Sequence, residues 1–316
     1  MELNSFLGKY QVYPNKIDEY PILWNKFFSN DKKLVVEIGF GGGEFLVELA
    51  KAKQDFNYIG IENSLTSCHK IQKKIYRNNL DNVRIIFEDA KFALREFFED
   101  DSVNKVIVNF PCPWPKRKHK KRRLFDDNFI KTLSCVLEKG GEFILTTDVL
   151  RYATQVKFDF ESDGSFKTSE IVEDFQLPFK TKYQNKWEKE GRKKYLFKAV
   201  KSNRKEIKRF LRGANNLPHK KISNPDFTKL KTLVGLKSTL DNSTFIIKDL
   251  YTKVNNPEYL LKVFSDDEGF EQSYFISIVK TNNEWLVKLD DIIKVYRTPA
   301  VKESVQFIAQ EIETDV

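Results

Sequence analysis

The fold class predicted for this chain is α/β, a doubly wound and mostly parallel sheet followed by a small C-terminal α+β appendage. Three observations carry the prediction. Between residues 34 and 147, short apolar runs alternate with segments of helical period. The first run ends in glycines, as the first strand-to-helix junction of such a sheet often does. Beyond residue 204 the pattern changes to short alternating runs separated by Gly and Pro turns.

Taken in order, residues 1–30 are mixed, with Trp24, Phe27 and Phe28 placed to pack on a core. Residues 34–38, Leu-Val-Val-Glu-Ile, make the first buried strand, and 44–51 a short helix with Phe45, Leu46 and Leu49 on one face. A second strand spans 58–62 and a helix 65–78. A third strand spans 83–88, with a helix to about 98, and 103–110 is the fourth strand. A helix over about 126–137 stops at Gly140-Gly141, and 143–147 is the fifth strand. Residues 149–160 suit a helix and 193–200 a closing strand. The polar tract 201–206 reads as a linker, which divides the chain into domains 1–204 and 205–316. In the second domain, 245–250, 274–280 and 285–289 read as strands and 301–312 as a helix.

With 316 residues and 41% hydrophobic content, the chain is long enough for two domains and a sizeable core. The apolar mass is aromatic, with 27 Phe and 12 Tyr. The net charge of +9 is unevenly placed. Residues 1–204 hold 37 basic and 29 acidic side chains, whereas 205–316 are nearly neutral with 17 and 16. Cys68, Cys112 and Cys135 are an odd count without a Cys-x-x-Cys. They argue against a disulfide framework or a thiol metal site, and for a reducing, cytoplasmic compartment. The N-terminus lacks a basic segment followed by an apolar one, and no apolar run approaches 18 residues, so neither a signal peptide nor a membrane span is expected.

The glycine loop reads Glu37-Ile38-Gly39-Phe40-Gly41-Gly42-Gly43-Glu44. A dinucleotide fingerprint would place its third glycine on Glu44. Here the fit is Glu-x-Gly-x-Gly-x-Gly, with an acid at the strand end. A carboxylate there repels a pyrophosphate and suits a ligand bearing an ammonium and a sulfonium, which favours S-adenosylmethionine over NAD. Glu62, ending the second strand, is placed to accept the two ribose hydroxyls. Asp89-Ala90, after the third strand, are placed to meet the adenine amino group.

The fourth strand runs into Asn109-Phe110-Pro111-Cys112-Pro113-Trp114-Pro115, and residues 116–123 then hold seven cations and His119. Cations that dense repel one another unless a polyanion sits among them. Strand C-termini are where open α/β sheets bind ligands, so this basic clamp points to an enzyme acting on nucleic acid.

These segments resemble the TrmB-type tRNA (guanine-N7)-methyltransferases, Rossmann-like class I S-adenosylmethionine-dependent enzymes. The resemblance spans about residues 30–200. It rests on Glu37-Ile-Gly-Phe-Gly, Gly60-Ile-Glu62, Asn109-Phe-Pro-x-Pro-Trp114 with His119–Arg123, Thr147-Asp148 and Thr181-Lys-Tyr-Gln184. It implies methylation of N7 of a guanosine in the tRNA variable loop (position 46 in tRNA numbering). It further implies a cofactor site of Glu37, Gly39, Gly41, Glu62, Asp89, Ala90, Asn109 and Cys112, catalytic positions Cys112 and Asp148, and substrate contacts from Lys116, His119, Arg122, Asp148, Thr181 and Gln184. The partner implied is tRNA, and DNA is not expected. Tyr183 and Trp187 are candidates to stack on a base or to pack in the core.

Two departures stand out. The family pattern has Asp where this chain has Cys112, and Glu where it has Gln184. N7 of guanine already carries a free lone pair, so the chemistry needs positioning rather than a general base. A covalent thiol at Cys112 is the competing idea, as is a non-catalytic RNA-binding module built on a methyltransferase scaffold. A methyltransferase acting on an exocyclic amine would place Asn/Asp-Pro-Pro-Tyr/Phe after the fourth strand, a pattern that Pro111-Cys112-Pro113-Trp114 breaks.

Overall fold

In the computed structural model, which describes residues 8–114, 123–175, 179, 193–213, 217–254, 258–282 and 284–314, the chain forms two units. One comprises Met1–Pro14 with Tyr20–Arg209, the other Asn15–Glu19 with Phe210–Val316. In chain order the first unit contains β1 (Gln11–Val12), α1 (Asn25–Phe28), β2 (Lys33–Ile38), α2 (Glu44–Ala52) and β3 (Phe56–Glu62). There follow α3 (Leu65–Arg77), β4 (Val83–Phe87), α4 (Ala90–Phe97), β5 (Val103–Asn109), α5 (Asp127–Val136) and β6 (Leu137–Thr147). It closes with α6 (Leu150–Asp163), β7 (Phe166–Thr168), β8 (Val172–Glu173) and β9 (Tyr195–Lys201). The strand order is β1-β4-β3-β2-β5-β6-β9-β7, with β8 also paired to β9. Pairs from β1 to β6 are parallel, and β9 runs antiparallel to β6, β7 and β8.

The apolar runs become strands because helices cover both faces of the sheet. In β2 every residue after Lys33 is buried, as a doubly covered parallel strand requires. On one face Phe45, Leu46 and Leu49 of α2 and Ile71 and Ile75 of α3 join Val35 and Ile85 in one core cluster. On the other, the Phe143 and Phe160 rings stack at 4.7 Å, and Phe197 packs edge-on to Phe160. Trp24 joins this side: its indole N–H donates to the Phe97 carbonyl at 3.0 Å and its ring stacks on Phe98. Phe28 is buried and Phe27 half-buried.

Helix starts are set by side-chain caps. Ser64, Asp89 and Asp126 accept from the amides of Ser67, Phe92 and Phe129, opening α3, α4 and α5. Each such cap stabilises its helix by about 1 kcal/mol. Two boundaries differ from expectation. Helix α5 ends at Val136 and β6 begins at once with Leu137, so Gly140-Gly141 lie inside the strand, where its pairing with β5 is irregular between Val103 and Lys105. The first unit also runs past residue 204. The Lys205 ammonium binds Asp163, and the Arg209 guanidinium donates to the Arg95 and Phe98 carbonyls and pairs with Asp100.

The second unit contains β10 (His219–Ile222), α7 (Leu230–Leu233), β11 (Lys237–Leu240), β12 (Ser243–Thr252), β13 (Tyr259–Asp267), β14 (Phe270–Lys280), β15 (Trp285–Leu289) and α8 (Pro299–Ile312). Its antiparallel sheet is ordered β10-β15-β14-β13-β12-β11. One face carries Phe245, Ile247, Leu261, Val263, Ile276 and Val287 against Val301, Val305, Ile308 and Ile312 of α8. Buried Asp267 fixes the start of α8 by accepting from the Ala300 amide and the Ser243 hydroxyl. The appendage is therefore α+β, with β10, β11 and β13 added to the strands expected from sequence. Among the described residues no helix is long and apolar enough to cross a membrane.

Candidate functional site

The loop between β2 and α2 is built by its glycines. Gly39, Gly41 and Gly43 hold φ of 71°, 52° and 77°, alternating with Phe40 and Gly42. Gly43 is the most constrained, because a Cβ there would lie 2.3 Å from Cγ1 of Ile71 as well as in the left-handed region. Gly60 serves the loop from below: a Cβ on it would strike the rings and methyls of Phe40 and Leu46 at 2.6 and 2.8 Å. The third residue of Gly60-Ile61-Glu62 then ties the loop down. One oxygen of the half-buried Glu62, Oε2, accepts from the Gly41 amide at 2.9 Å. The other accepts from the amides of Asn63 (2.9 Å) and Ser64 (3.1 Å). Lys74, a residue that the sequence did not single out, reaches from α3 to the Gly42 carbonyl and to the Glu44 carboxylate.

Glu37 lies under this loop and is 2% exposed. Its Oε1 accepts from the Asn109 side-chain amide at 3.0 Å, whereas Oε2 has no partner among the described residues. Burial pushes its pKa up to about 8; the Asn109 hydrogen bond opposes the shift, and the charges of Glu44 and Glu62 add to it. A carboxyl held neutral by burial ionises more readily beside a cation, which makes Glu37 a candidate to receive one. Half-buried Asn109 and buried Thr146 stand opposite one another on β5 and β6, each with one buried side-chain oxygen that has no partner among the described residues. Both line the strand-end of a cavity of about 320 Å³ that runs along the sheet face to Lys53 and Lys105.

The remaining expected residues take their places at successive strand ends. Asp89 is exposed and spends Oδ1 on capping α4, whose first residue is the half-buried Ala90. After β5, Phe110 and Trp114 hold φ of 53° and 41°, a backbone conformation that bulky residues rarely adopt, and they bracket the exposed Cys112. The Trp114 carbonyl is held by the Arg123 guanidinium at 3.1 Å. Asp148 is half-buried between β6 and α6. The sheet thus brings Glu37, Glu62, Asp89, Asn109, Cys112 and Asp148 to one edge, with direct contacts from Glu37 to Asn109 and from Glu62 to Gly41. Lys116, His119, Arg122, Thr181, Gln184, Tyr183 and Trp187 lie outside the described residues.

A parallel sheet with an antiparallel closing strand, a glycine loop after a central strand and acids along its C-terminal edge define a class I methyltransferase. The model of a family described as putative methyltransferase matches residues 31–197. The tRNA (guanine-N(7)-)-methyltransferase of Thermotoga maritima is 41% identical over 306 residues, which cover 96% of this chain and 97% of that one. The enzyme of the same name from Coprothermobacter proteolyticus is 29% identical over 95% of this chain and 93% of its own. The chain belongs to the tRNA (guanine-N7)-methyltransferase family. A third relative of that name, from Enterococcus faecalis, is 32% identical over 62% of this chain and 93% of its own length, so it does without a counterpart of much of this chain.

Proposed function

We propose that this enzyme transfers a methyl group from S-adenosylmethionine to N7 of a guanosine in the tRNA variable loop, at position 46. The observation that carries the reading is the buried, half-satisfied carboxyl of Glu37 under a glycine loop that Glu62 ties down. When bound, S-adenosylmethionine supplies an electrophilic methyl group on a sulfonium. On this reading Glu37, steadied by Asn109, holds the α-ammonium, and Gly39 and Gly41 let the backbone close on the ligand. Glu62 takes ribose, and Asp89 with Ala90 meets the adenine. Guanine N7 presents a lone pair and loses no proton before it reacts, so no residue need act as a general base. The work left to the chain is orientation, which is worth several kcal/mol, and Asp148 offsets the positive charge that the base acquires. Lys116, His119, Arg122, Thr181 and Gln184 are assigned to tRNA on the same basis. The test is mass-spectrometric nucleoside analysis of tRNA incubated with the protein and labelled S-adenosylmethionine. Label in 7-methylguanosine supports the reading, whereas label on a carbon or an exocyclic amine, or in no nucleoside, overturns it.

Cys112 tells direct transfer from covalent catalysis. With direct transfer, Cys112→Ser retains at least about a tenth of the rate, because positioning rather than nucleophilicity sets it. Cys112→Asp restores the family's usual residue and is expected to be at least as active as Cys112→Ser. A thiol nucleophile would make both variants dead and the wild type trappable as a protein–RNA adduct. Single-turnover assays of folded protein that still binds cofactor and tRNA distinguish these outcomes.

A further inference from the structure

The second unit buries one face of its sheet under α8, and on the opposite face most side chains are exposed or half-buried. The registers of β10 to β15 place on this outer face the side chains that alternate with the core positions. Three of them are aromatic. Tyr251 on β12 is 45% exposed and meets the Phe275 ring of β14 edge-on, with centroids 6.2 Å apart. Phe264 on β13 lies two residues along from Lys262, the register partner of Phe275, and carries the Lys248 ammonium 5.9 Å from its ring centre. Lys237, Lys248, Lys262 and Lys288 stand around these rings on four different strands. Among the described residues none of these four is paired with a carboxylate, whereas Lys220, Lys221 and Lys253 of the same unit are.

Three acids share this face, and one of them, Asp249, stands directly opposite Lys262 in the β12–β13 register. Asp266 and Glu271 face each other across β13 and β14 at the hairpin end, beyond the aromatic rows. Asp266 accepts from the Gly269 amide of that turn. Asp249 accepts from the Leu250 amide and from the Tyr251 hydroxyl. The middle of the sheet thus holds three rings, the carboxylate of Asp249 and four lysines that form no ion pair among the described residues. Although the unit as a whole is nearly neutral, this one face is basic and aromatic.

Rings on an open sheet flanked by lysines are chemically complementary to unpaired bases joined by phosphates: the bases stack and the cations release condensed counterions. We propose that this face is a second RNA-binding surface, on which unpaired nucleotides of the tRNA substrate stack on Tyr251, Phe264 and Phe275 while Lys237, Lys248, Lys262 and Lys288 meet phosphates. The proposal rests on the tRNA reading above and adds to it a binding role away from the strand-end site.

The test compares the full-length protein with two full-length variants, Lys237→Ala/Lys248→Ala/Lys262→Ala/Lys288→Ala and Tyr251→Ala, whose sites lie on the surface. Binding of tRNA is measured from about 50 to 200 mM salt, a range over which phosphate contacts dominate affinity. In the quadruple variant the log–log salt slope should fall by about 2 to 4, at 0.7–0.9 per lost contact. Its KM for tRNA should rise at least about tenfold at physiological salt, with kcat at saturating tRNA unchanged. Tyr251→Ala should raise KM about fivefold or more with the slope unchanged, since stacking carries no charge. A slope and KM equal to those of the parent overturn the proposal. So does a variant that loses self-association in sedimentation while keeping its tRNA affinity, which would make the face an interface between copies of the chain. If the parent binds tRNA without methylating it, the proposed activity fails and the same slope comparison still decides the surface.

Discussion

Replacing Glu37 with Gln should make the ligand-free protein more stable and its S-adenosylmethionine binding weaker. The two effects share one cause. In the folded chain the Glu37 carboxyl titrates near 8 instead of near 4.5, because burial disfavours its charge. Below pH 4.5 it is protonated in folded and unfolded chains alike and has no effect. Between 4.5 and 8 the unfolded chain ionises and the folded chain does not, so folding stability falls by about 1.4 kcal/mol per pH unit and levels off above 8. At pH 7 the deficit is on the order of 3 kcal/mol. Gln has the same shape, can keep the Asn109 hydrogen bond through its carbonyl oxygen and never needs to ionise, so this deficit disappears. The measurement is Tm against pH. The parent's Tm should decline from pH 5 to 8, and the variant should lie above it by a margin that widens over the same interval.

Ligand binding should show the opposite sign. A cationic ligand selects the ionised carboxylate, so binding between pH 6 and 8 must first remove a proton. The parent's affinity should improve by about tenfold from pH 6 to 7 and about fivefold from pH 7 to 8, in step with the ionised fraction of a group titrating near 8. In Glu37→Gln the pH dependence should vanish, and affinity at pH 8 should fall by about 10- to 150-fold, the loss of a hydrogen bond to a charged group. Calorimetry at three pH values checks both. A parent affinity that does not change with pH would refute the assignment of Glu37 to the ammonium.

What could be read from the chain divides along physical lines. Glu37 and Glu62 are legible because one is the penultimate and the other the last residue of a parallel strand, and the position of a strand end follows from the length of an apolar run. The Gly39, Gly41 and Gly43 spacing is legible because alternate positive φ values leave few alternatives to glycine. The partners of these residues are not legible. Nothing in the residue type shows that the oxygens of Glu62 accept three backbone amides, or that Lys74 crosses from α3 to the loop. The boundary at Val136–Leu137 is hidden because Leu137 suits a helix as well as a strand, and sheet pairing decides it. Strand β13 is hidden because its solvent face interrupts the apolar pattern with Lys262 and Asp266. The interruption that conceals the strand is part of what makes its outer face basic.

Glu62 should prove far less tolerant than Glu37 of the same change to Gln. A carboxylate offers about four acceptor positions. Oε1 is filled by the Asn63 and Ser64 amides, and Oε2 holds the Gly41 amide with one position left. Two ribose hydroxyls therefore cannot both find a vacant acceptor site. One can bond Oε2 directly, and the other must share an occupied position or turn elsewhere. Glu62→Gln places an NH2 group either against the Gly41 amide or against the pair from Asn63 and Ser64. Donor then faces donor in both orientations, and the glycine loop is released. Glu62→Ala leaves the same three amides without their acceptor. In both variants S-adenosylmethionine affinity should fall by about 10- to 100-fold and the ligand-free protein should lose about 1–3 kcal/mol of stability, the cost of polar groups left poorly paired. This is the reverse of the stabilisation expected for Glu37→Gln, although both residues are acids at neighbouring strand ends. A Glu62→Gln protein that binds S-adenosylmethionine as the parent does, by calorimetry at pH 8, would refute both the ribose contact and the dependence of binding on the Glu62-held loop.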